Sequence, residues 1–266
     1  MRWPLTTETR LPMRLIILLI CVIASSSEPL LAAQVKVATA SNFKLTMNRI
    51  IELYEQQSAD RIVQINGSTG KHYAQIKNGA PYDLLFAANR FHPQSLEDSG
   101  LTIRGSGYNY ALGKLVLWVP GETSANVNSV RDAEFEYVAI ANPKLAPYGR
   151  AAQQVLQQLE QWTALQPQIV RGENVAQAFQ FIVSGNAQMG FVAKSQLIGS
   201  EYQEQGAYWP IPQDYYAPIE QYAVLLSDNE AAQSFLQFCK SKQVQQLIVS
   251  SGYEIPPTSN RLHTKP

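Results

Sequence analysis

Apolar and polar positions along the chain alternate between two periods. Residues 35–40, Val-Lys-Val-Ala-Thr-Ala, read as a buried strand. Met47, Ile50, Ile51 and Tyr54 then recur at the i, i+3, i+4, i+7 spacing of one helix face. Residues 61–65 return to a strand pattern. Residues 70–77 predict a short helix stopped by Asn78-Gly79, and residues 83–88 a third strand. A second series follows. Residues 115–119 and 137–141 read as strands, and 147–159 as a helix with Pro147 suited to its first position. A strand ends at Ile169-Val170, a helix covers 175–183, and further strands lie at 190–192 and 222–226. Two helices, 231–239 and 244–249, close the pattern.

Strands alternating with helices predict an α/β fold with mostly parallel sheets. Two such series in one chain predict two lobes: residues 34–117 with 214–266, and residues 118–213. Ligands of open α/β sheets sit beyond the carboxyl ends of the strands, where helices begin. A cleft between two lobes would therefore be lined by helix N-termini, a geometry that suits an anion.

The first 33 residues stand outside this pattern. Arg10 and Arg14 precede an apolar run over 15–24, a polar stretch over 25–28, and Leu30-Leu31-Ala32-Ala33. A basic flank, a short apolar core and small terminal residues describe a secretory signal peptide. The run is about half the ~20 residues that span a bilayer. Its removal leaves a net charge of −1 and a single cysteine, Cys239, so no intramolecular disulfide is expected. With 45% hydrophobic residues in 266, the core suffices without one. No basic patch or stripe marks a nucleic-acid surface. The expectation is a periplasmic protein, monomeric, with a small-molecule ligand.

Four strand-to-helix turns carry the candidate chemistry: Ala40-Ser41-Asn42-Phe43, Asn66-Gly67-Ser68-Thr69-Gly70-Lys71, Ala146-Pro147-Tyr148-Gly149 and Gly172-Glu173-Asn174-Val175. The first turn of a helix leaves N–H groups without intrahelical partners, and the helix dipole adds partial positive charge there. Hydroxyls add further donors. Several such ends converging on one point would hold a dianion without Lys or Arg. Each turn alone is equally what ordinary N-capping produces.

Other chemistries find little in the chain. Gly67-Ser68-Thr69-Gly70-Lys71 is not a nucleotide loop, because two residues rather than four separate its glycines and His72 follows the lysine. Lys71 reads as a solvated first-turn residue. There is no G-x-S-x-G elbow, and His72, His92 and His263 are scattered, so neither an enzyme nor a direct metal site is expected. Cys239 falls in an apolar helical pattern and reads as core. Tyr215-Tyr216 keeps a ferric-iron carrier open as an alternative, and a ligand-sensing module of a membrane receptor is another.

At these same turns the chain resembles the molybdate-binding proteins of bacterial ABC importers, over residues 35–255. The motifs are Ala38-Thr39-Ala40-Ser41-Asn42-Phe43, Gly67-Ser68-Thr69-Gly70-Lys71, the run from Gln75 through Asn78-Gly79-Ala80-Pro81-Tyr82 to Asp83, Asn142-Pro143 with Ala146-Pro147-Tyr148-Gly149, Glu173-Asn174-Val175, and Ala217-Pro218-Ile219-Glu220-Gln221. The resemblance implies the type II periplasmic binding fold, two lobes closing on molybdate or tungstate, and an ABC importer permease as partner. It implies no cofactor. By position it assigns oxyanion contacts to Ser41 and Asn42, to Thr69 with Ser68 adjacent, and to the backbone N–H groups of Tyr148 and Val175. The chain departs from the family at Ala193, where some members carry a tyrosine ligand, and at Asn89, where an Asp is common. Asn42 is expected to compensate for the first.

Overall fold

The computed structural model describes residues 33–131 and 134–256; all but the last position of the predicted signal peptide lies outside them, as does His263. Among the described residues ten strands form two five-stranded mixed sheets. The strands are β1 (Gln34–Ala40), β2 (Arg61–Gly67), β3 (Leu84–Ala87), β4 (Tyr108–Gly113), β5 (Leu115–Pro120), β6 (Val138–Ala141), β7 (Ile169–Gly172), β8 (Met189–Ala193), β9 (Gly206–Pro210) and β10 (Ile219–Leu225). The first sheet runs β2-β1-β3-β10-β4 and the second β7-β6-β8-β5-β9.

The parallel part of each sheet comes from strand–helix–strand units. β1 pairs in parallel with β2 and β3, and β6 with β7 and β8. The antiparallel strands are those at which the chain changes sheet. It passes from β4 to β5 through Lys114 alone, and returns from β9 to β10. β10 lies antiparallel to both β3 and β4, and β5 to both β8 and β9.

The strand and helix pattern read from the sequence matches the longer elements but misses β4, β9, the helix Phe91–Asp98 and the four-residue helices Asn128–Arg131 and Lys194–Leu197. β4 and β9 carry no clear apolar run because both are edge strands, half-covered and ending in Gly113 and Pro210. An edge strand tolerates proline and needs little apolar surface. The helix Phe91–Asp98 buries only Pro93 and Leu96, too few to show a periodicity.

The core is divided. Val35, Val37, Phe43, Met47, Ile50, Phe86 and the C-terminal helix residues Phe235, Val244 and Ile248 pack on the first sheet. Leu117, Ile140, Ala152, Val155 and Phe191 pack on the second, in a cluster that also reaches Ala40 and Ala88 at strand ends of the first. Cys239 is buried in the first core, and burial pushes its thiol pKa far up, so it is an inert packing residue. Asp83 fastens the start of β3 by accepting from the Lys36 N–H at 2.8 Å and the Ser227 hydroxyl at 2.6 Å. No helix among the described residues is long and apolar enough to cross a membrane.

His72 sits beneath the first sheet, 1% exposed, with Nε2 3.2 Å from the Thr39 carbonyl and Nδ1 3.3 Å from Gln75 Oε1. Burial lowers its pKa from the ordinary histidine value. Below an unfolded-state value near ~6.5 the unfolded chain takes up a proton that the folded chain refuses. The contribution of His72 is therefore complete above that pH and is lost as pH falls through the depressed folded value. Urea unfolding of the wild-type chain between pH 7.5 and 5.5 is expected to lose more stability than unfolding of His72→Gln over the same range. Parallel curves would remove His72 as the cause.

Candidate functional site

Four turns, each at the carboxyl end of a strand, meet between the two sheets. β1 ends at Ala40 and runs through a 3-10 turn, Ser41–Phe43, into the helix Lys44–Glu55. β2 ends at Gly67 before the helix Thr69–Lys77. β6 leads to the helix Pro147–Gln158, and β7 to the helix Val175–Val183. A small pocket lies where they converge, lined by Ala40, Ser41, Asn42, Gly67, Ser68, Thr69, Ala88, Ala146, Pro147, Tyr148 and Val175. All six residues expected to touch an oxyanion are among them. The free space of the pocket is about 10 Å³, roughly one water-sized sphere and far below the ~300 Å³ at which organic-ligand pockets begin.

The caps decide which donors remain. Ser68 Oγ accepts from the Lys71 N–H at 3.3 Å, and the Gly70 N–H goes to the Leu145 carbonyl at 2.9 Å. Asn174 Oδ1 accepts from the Ala176 and Gln177 N–H groups at 3.0 and 3.1 Å. Pro147 has no N–H to satisfy. What these caps leave without a protein acceptor among the described residues includes the N–H groups of Asn42, Thr69, Tyr148 and Val175, all on pocket-lining residues.

The hydroxyls are arranged to the same end. Thr69 Oγ1 accepts from the Ala88 N–H at 2.9 Å, and Ser68 Oγ from Lys71. A hydroxyl whose lone pair is taken by an N–H still has its own proton to give. Both protons, with that of Ser41, are available to the pocket. Ser41, Ser68 and Thr69 are all buried.

Asn42 contributes differently from what its side chain suggests. Its Nδ2 donates to Gln221 Oε1 at 2.8 Å and to Tyr253 Oη at 2.9 Å, so both amide protons are engaged. Its carbonyl accepts from Tyr253 at 2.8 Å and from Ser195 at 3.0 Å. What Asn42 leaves for a ligand is its backbone N–H, held in place by a network with β10, the C-terminal segment and the start of a short helix, Lys194–Leu197. Gln196 secures the fourth turn: it accepts from the Ala193 N–H at 2.9 Å and donates to the Val175 carbonyl at 3.2 Å. Ala193 thus serves as a backbone donor to Gln196. Ser195, Gln196 and Tyr253 escaped the sequence reading, and Gln221 entered it only within a motif without a role, because none lies in a turn that faces the pocket. Asn89 Oδ1 accepts from the His92 N–H at 3.1 Å, a local tie that needs no carboxylate.

No charged side chain lines the pocket. Lys71 stands outside it and pairs with Glu173 across the cleft at 3.0 Å, both about half-exposed. Its charge is thereby offset two residues from Thr69 and from Val175. Tyr215 and Tyr216, the candidate iron ligands, lie elsewhere. Tyr216 Oη accepts from the Leu115 N–H at 3.2 Å, and Tyr215 packs edge-on against Trp209. Among the described residues no group of three or more His, Cys, Asp or Glu side chains is placed to hold a metal.

A pocket of neutral donors at four helix starts can accept a small anion that brings only lone pairs. Comparison with known proteins agrees on the class. Residues 35–254 match the family of bacterial extracellular solute-binding proteins. The molybdate-binding protein ModA of Azotobacter vinelandii is 41% identical over 227 residues, 84% of this chain and 90% of that protein. The molybdate-binding protein ModA of Rhodobacter capsulatus is 38% identical over 229 residues, 85% and 90% respectively. The solved periplasmic molybdate-binding protein of A. vinelandii superposes with a TM-score of 0.80 at 36% identity, covering 84% of this chain and all of that one. The chain belongs to the bacterial extracellular solute-binding proteins and, within them, to the ModA family.

Proposed function

We propose that this protein, exported by the signal peptide of residues 1–33, captures molybdate or tungstate in the periplasm and delivers it to the permease of an ABC importer, without catalytic turnover. The observation that carries the reading is the pocket: hydroxyls of Ser41, Ser68 and Thr69 and N–H groups of Asn42, Thr69, Tyr148 and Val175 around one small space, with no cation in the wall. It supports the reading together with the 41% identity to a molybdate-binding protein. The first lobe comprises residues 34–113 and 214–266 and the second residues 115–213; the boundary expected at 117 moves back to Lys114 because β5 pairs with β8 and β9 of the second sheet. They close on the ligand as a monomer.

Selection follows from two properties of the pocket. Donors without acceptors reject a protonated anion, because a ligand O–H facing an N–H leaves both unpaired. That disfavours phosphate, which carries a proton near neutral pH. Sulfate is fully deprotonated and would satisfy the same donors, so it is rejected by size: a smaller tetrahedron cannot reach donors fixed by four separate helices. The ferric alternative loses its ground with Tyr216 engaged at Leu115.

In a calorimetric and thermal-shift panel, molybdate and tungstate are expected to bind tightly and raise the melting temperature by mass action, with sulfate and phosphate giving little. Equal binding of sulfate would remove the size argument, and a shift with ferric salts alone would overturn the oxyanion reading.

Hydrogen bonds to a charged group contribute about 1.5–3 kcal/mol each. Ser41→Ala and Thr69→Val are thus each expected to weaken molybdate binding by roughly 10- to 150-fold. Lys71→Met should cost less than about fivefold, the scale of an exposed ion pair. A larger loss from Lys71→Met than from the hydroxyl variants would show that a cation, not neutral donors, holds the anion.

A further inference from the structure

Tyr148 faces two ways. Its backbone N–H is one of the pocket donors, while its side chain is buried in the cluster that holds Leu115, Tyr216 and Ile219. Leu115 opens β5 and Ile219 opens β10, so this is where the chain crosses between the sheets. Gly113, the last residue of β4, pairs with Ile219 and precedes the outward crossing.

Gly113 forms the floor beneath the phenol. A Cβ on Gly113 would overlap the Tyr148 hydroxyl and stand 3.0 Å from its Cζ, and 2.9 Å from Gln221 Nε2. The ring of the second sheet's helix is therefore seated in a notch that exists only because residue 113 has no side chain. The hydroxyl is buried close to the Asn42 amide and makes no well-aligned hydrogen bond. A buried hydroxyl so poorly paired contributes little, so shape more than hydrogen bonding keeps the ring there.

The next residue fixes the helix from the other side. A Cβ on Gly149 would overlap the Ala141 carbonyl oxygen and stand 2.6 Å from its carbon. The start of the helix Pro147–Gln158 is thus held between two close approaches, one to β6 and one to the crossing. Close-packed contacts of this kind do not deform continuously. If the phenol is lifted from its seat, the N–H of the same residue moves with it.

We propose that Tyr148 is a positioning residue whose phenol, seated over Gly113 at the inter-lobe crossing, couples lobe closure to delivery of its own N–H to the oxyanion, which makes the absence of a side chain at position 113 a determinant of affinity. The proposal rests on the oxyanion reading of the pocket.

The test is a double-substitution cycle on the full mature chain with molybdate, read by calorimetry and by small-angle scattering with and without the anion. Gly113→Ala is expected to weaken binding at least 100-fold and to abolish the contraction that molybdate produces in the wild type. Tyr148→Phe removes the atom the new methyl overlaps, so Gly113→Ala/Tyr148→Phe should bind at least tenfold tighter than Gly113→Ala and contract again. Tyr148→Phe alone completes the cycle, because coupling shows as non-additivity. Wild-type affinity in Gly113→Ala, or a double variant no tighter than Gly113→Ala, would overturn the proposal. The second result would place the clash on Gln221. If Gly113→Ala does not fold, a double variant that folds and binds supports the seat, and one that also fails to fold overturns it. Failure of the wild-type protein to bind either anion would refute the functional reading instead. The seat would then be judged by scattering of the ligand-free chains, where only an expanded Gly113→Ala restored by Tyr148→Phe supports it.

Discussion

An α-helix cannot satisfy the N–H groups of its own first turn, and the arrangement of this protein follows from how that deficit is divided at four places. At each start some N–H groups are taken by a cap: Ser68 for Lys71, Asn174 for Ala176 and Gln177, the Leu145 carbonyl for Gly70. The remainder fall on Asn42, Thr69, Tyr148 and Val175, which line one pocket. Burying unsatisfied donors costs free energy unless something accepts from them. A small polyvalent acceptor placed among these donors would relieve that cost at all four helix starts at once.

That constraint also explains why the wall carries no cation. A lysine or arginine would attract any anion through its charge, over a longer range and with less demand on geometry. Fixed dipoles attract only lone pairs, and only at the distance to which the scaffold holds them. The nearby ammonium of Lys71 is kept from contributing by Glu173, across the cleft. The same pair joins the helix start that carries Thr69 to the turn before Val175, and the Gly70–Leu145 backbone bond joins it to the turn before Tyr148. The contacts that bring the donors together thus lie beside the pocket and are separate from those offered to the ligand.

The four turns were legible in the sequence because their chemistry is local. A strand pattern ending in Ser41-Asn42 or Ser68-Thr69, and a helix opening at Pro147 or after Asn174, are visible within ten residues. Their convergence was not visible, since it depends on pairing between distant strands. Neither was the role of Asn42. Its amide reads as a ligand donor, yet it is consumed by Gln221 and Tyr253, 179 and 211 residues further along. The strands that escaped, β4 and β9, are edge strands whose position follows from where the chain changes sheet, not from their own apolar content. The crossing at Gly113 is hidden for the same reason, because the reason for a glycine there is a ring from another lobe.

The division between legible and hidden has a physical basis. Donor chemistry is a property of a residue and its immediate neighbours, so it survives as a motif. Precision is a property of the supports: Gln196 on the Val175 carbonyl, Ser195 and Tyr253 on the Asn42 carbonyl, Ala88 on the Thr69 hydroxyl. These supports are amides, hydroxyls and one small apolar residue, the most ordinary types in the chain, and they acquire meaning only through distance. Selection among tetrahedral anions of equal charge requires donors fixed to a fraction of an ångström. The residues that decide which anion is kept are therefore as much those that hold the donors as those that touch the ligand.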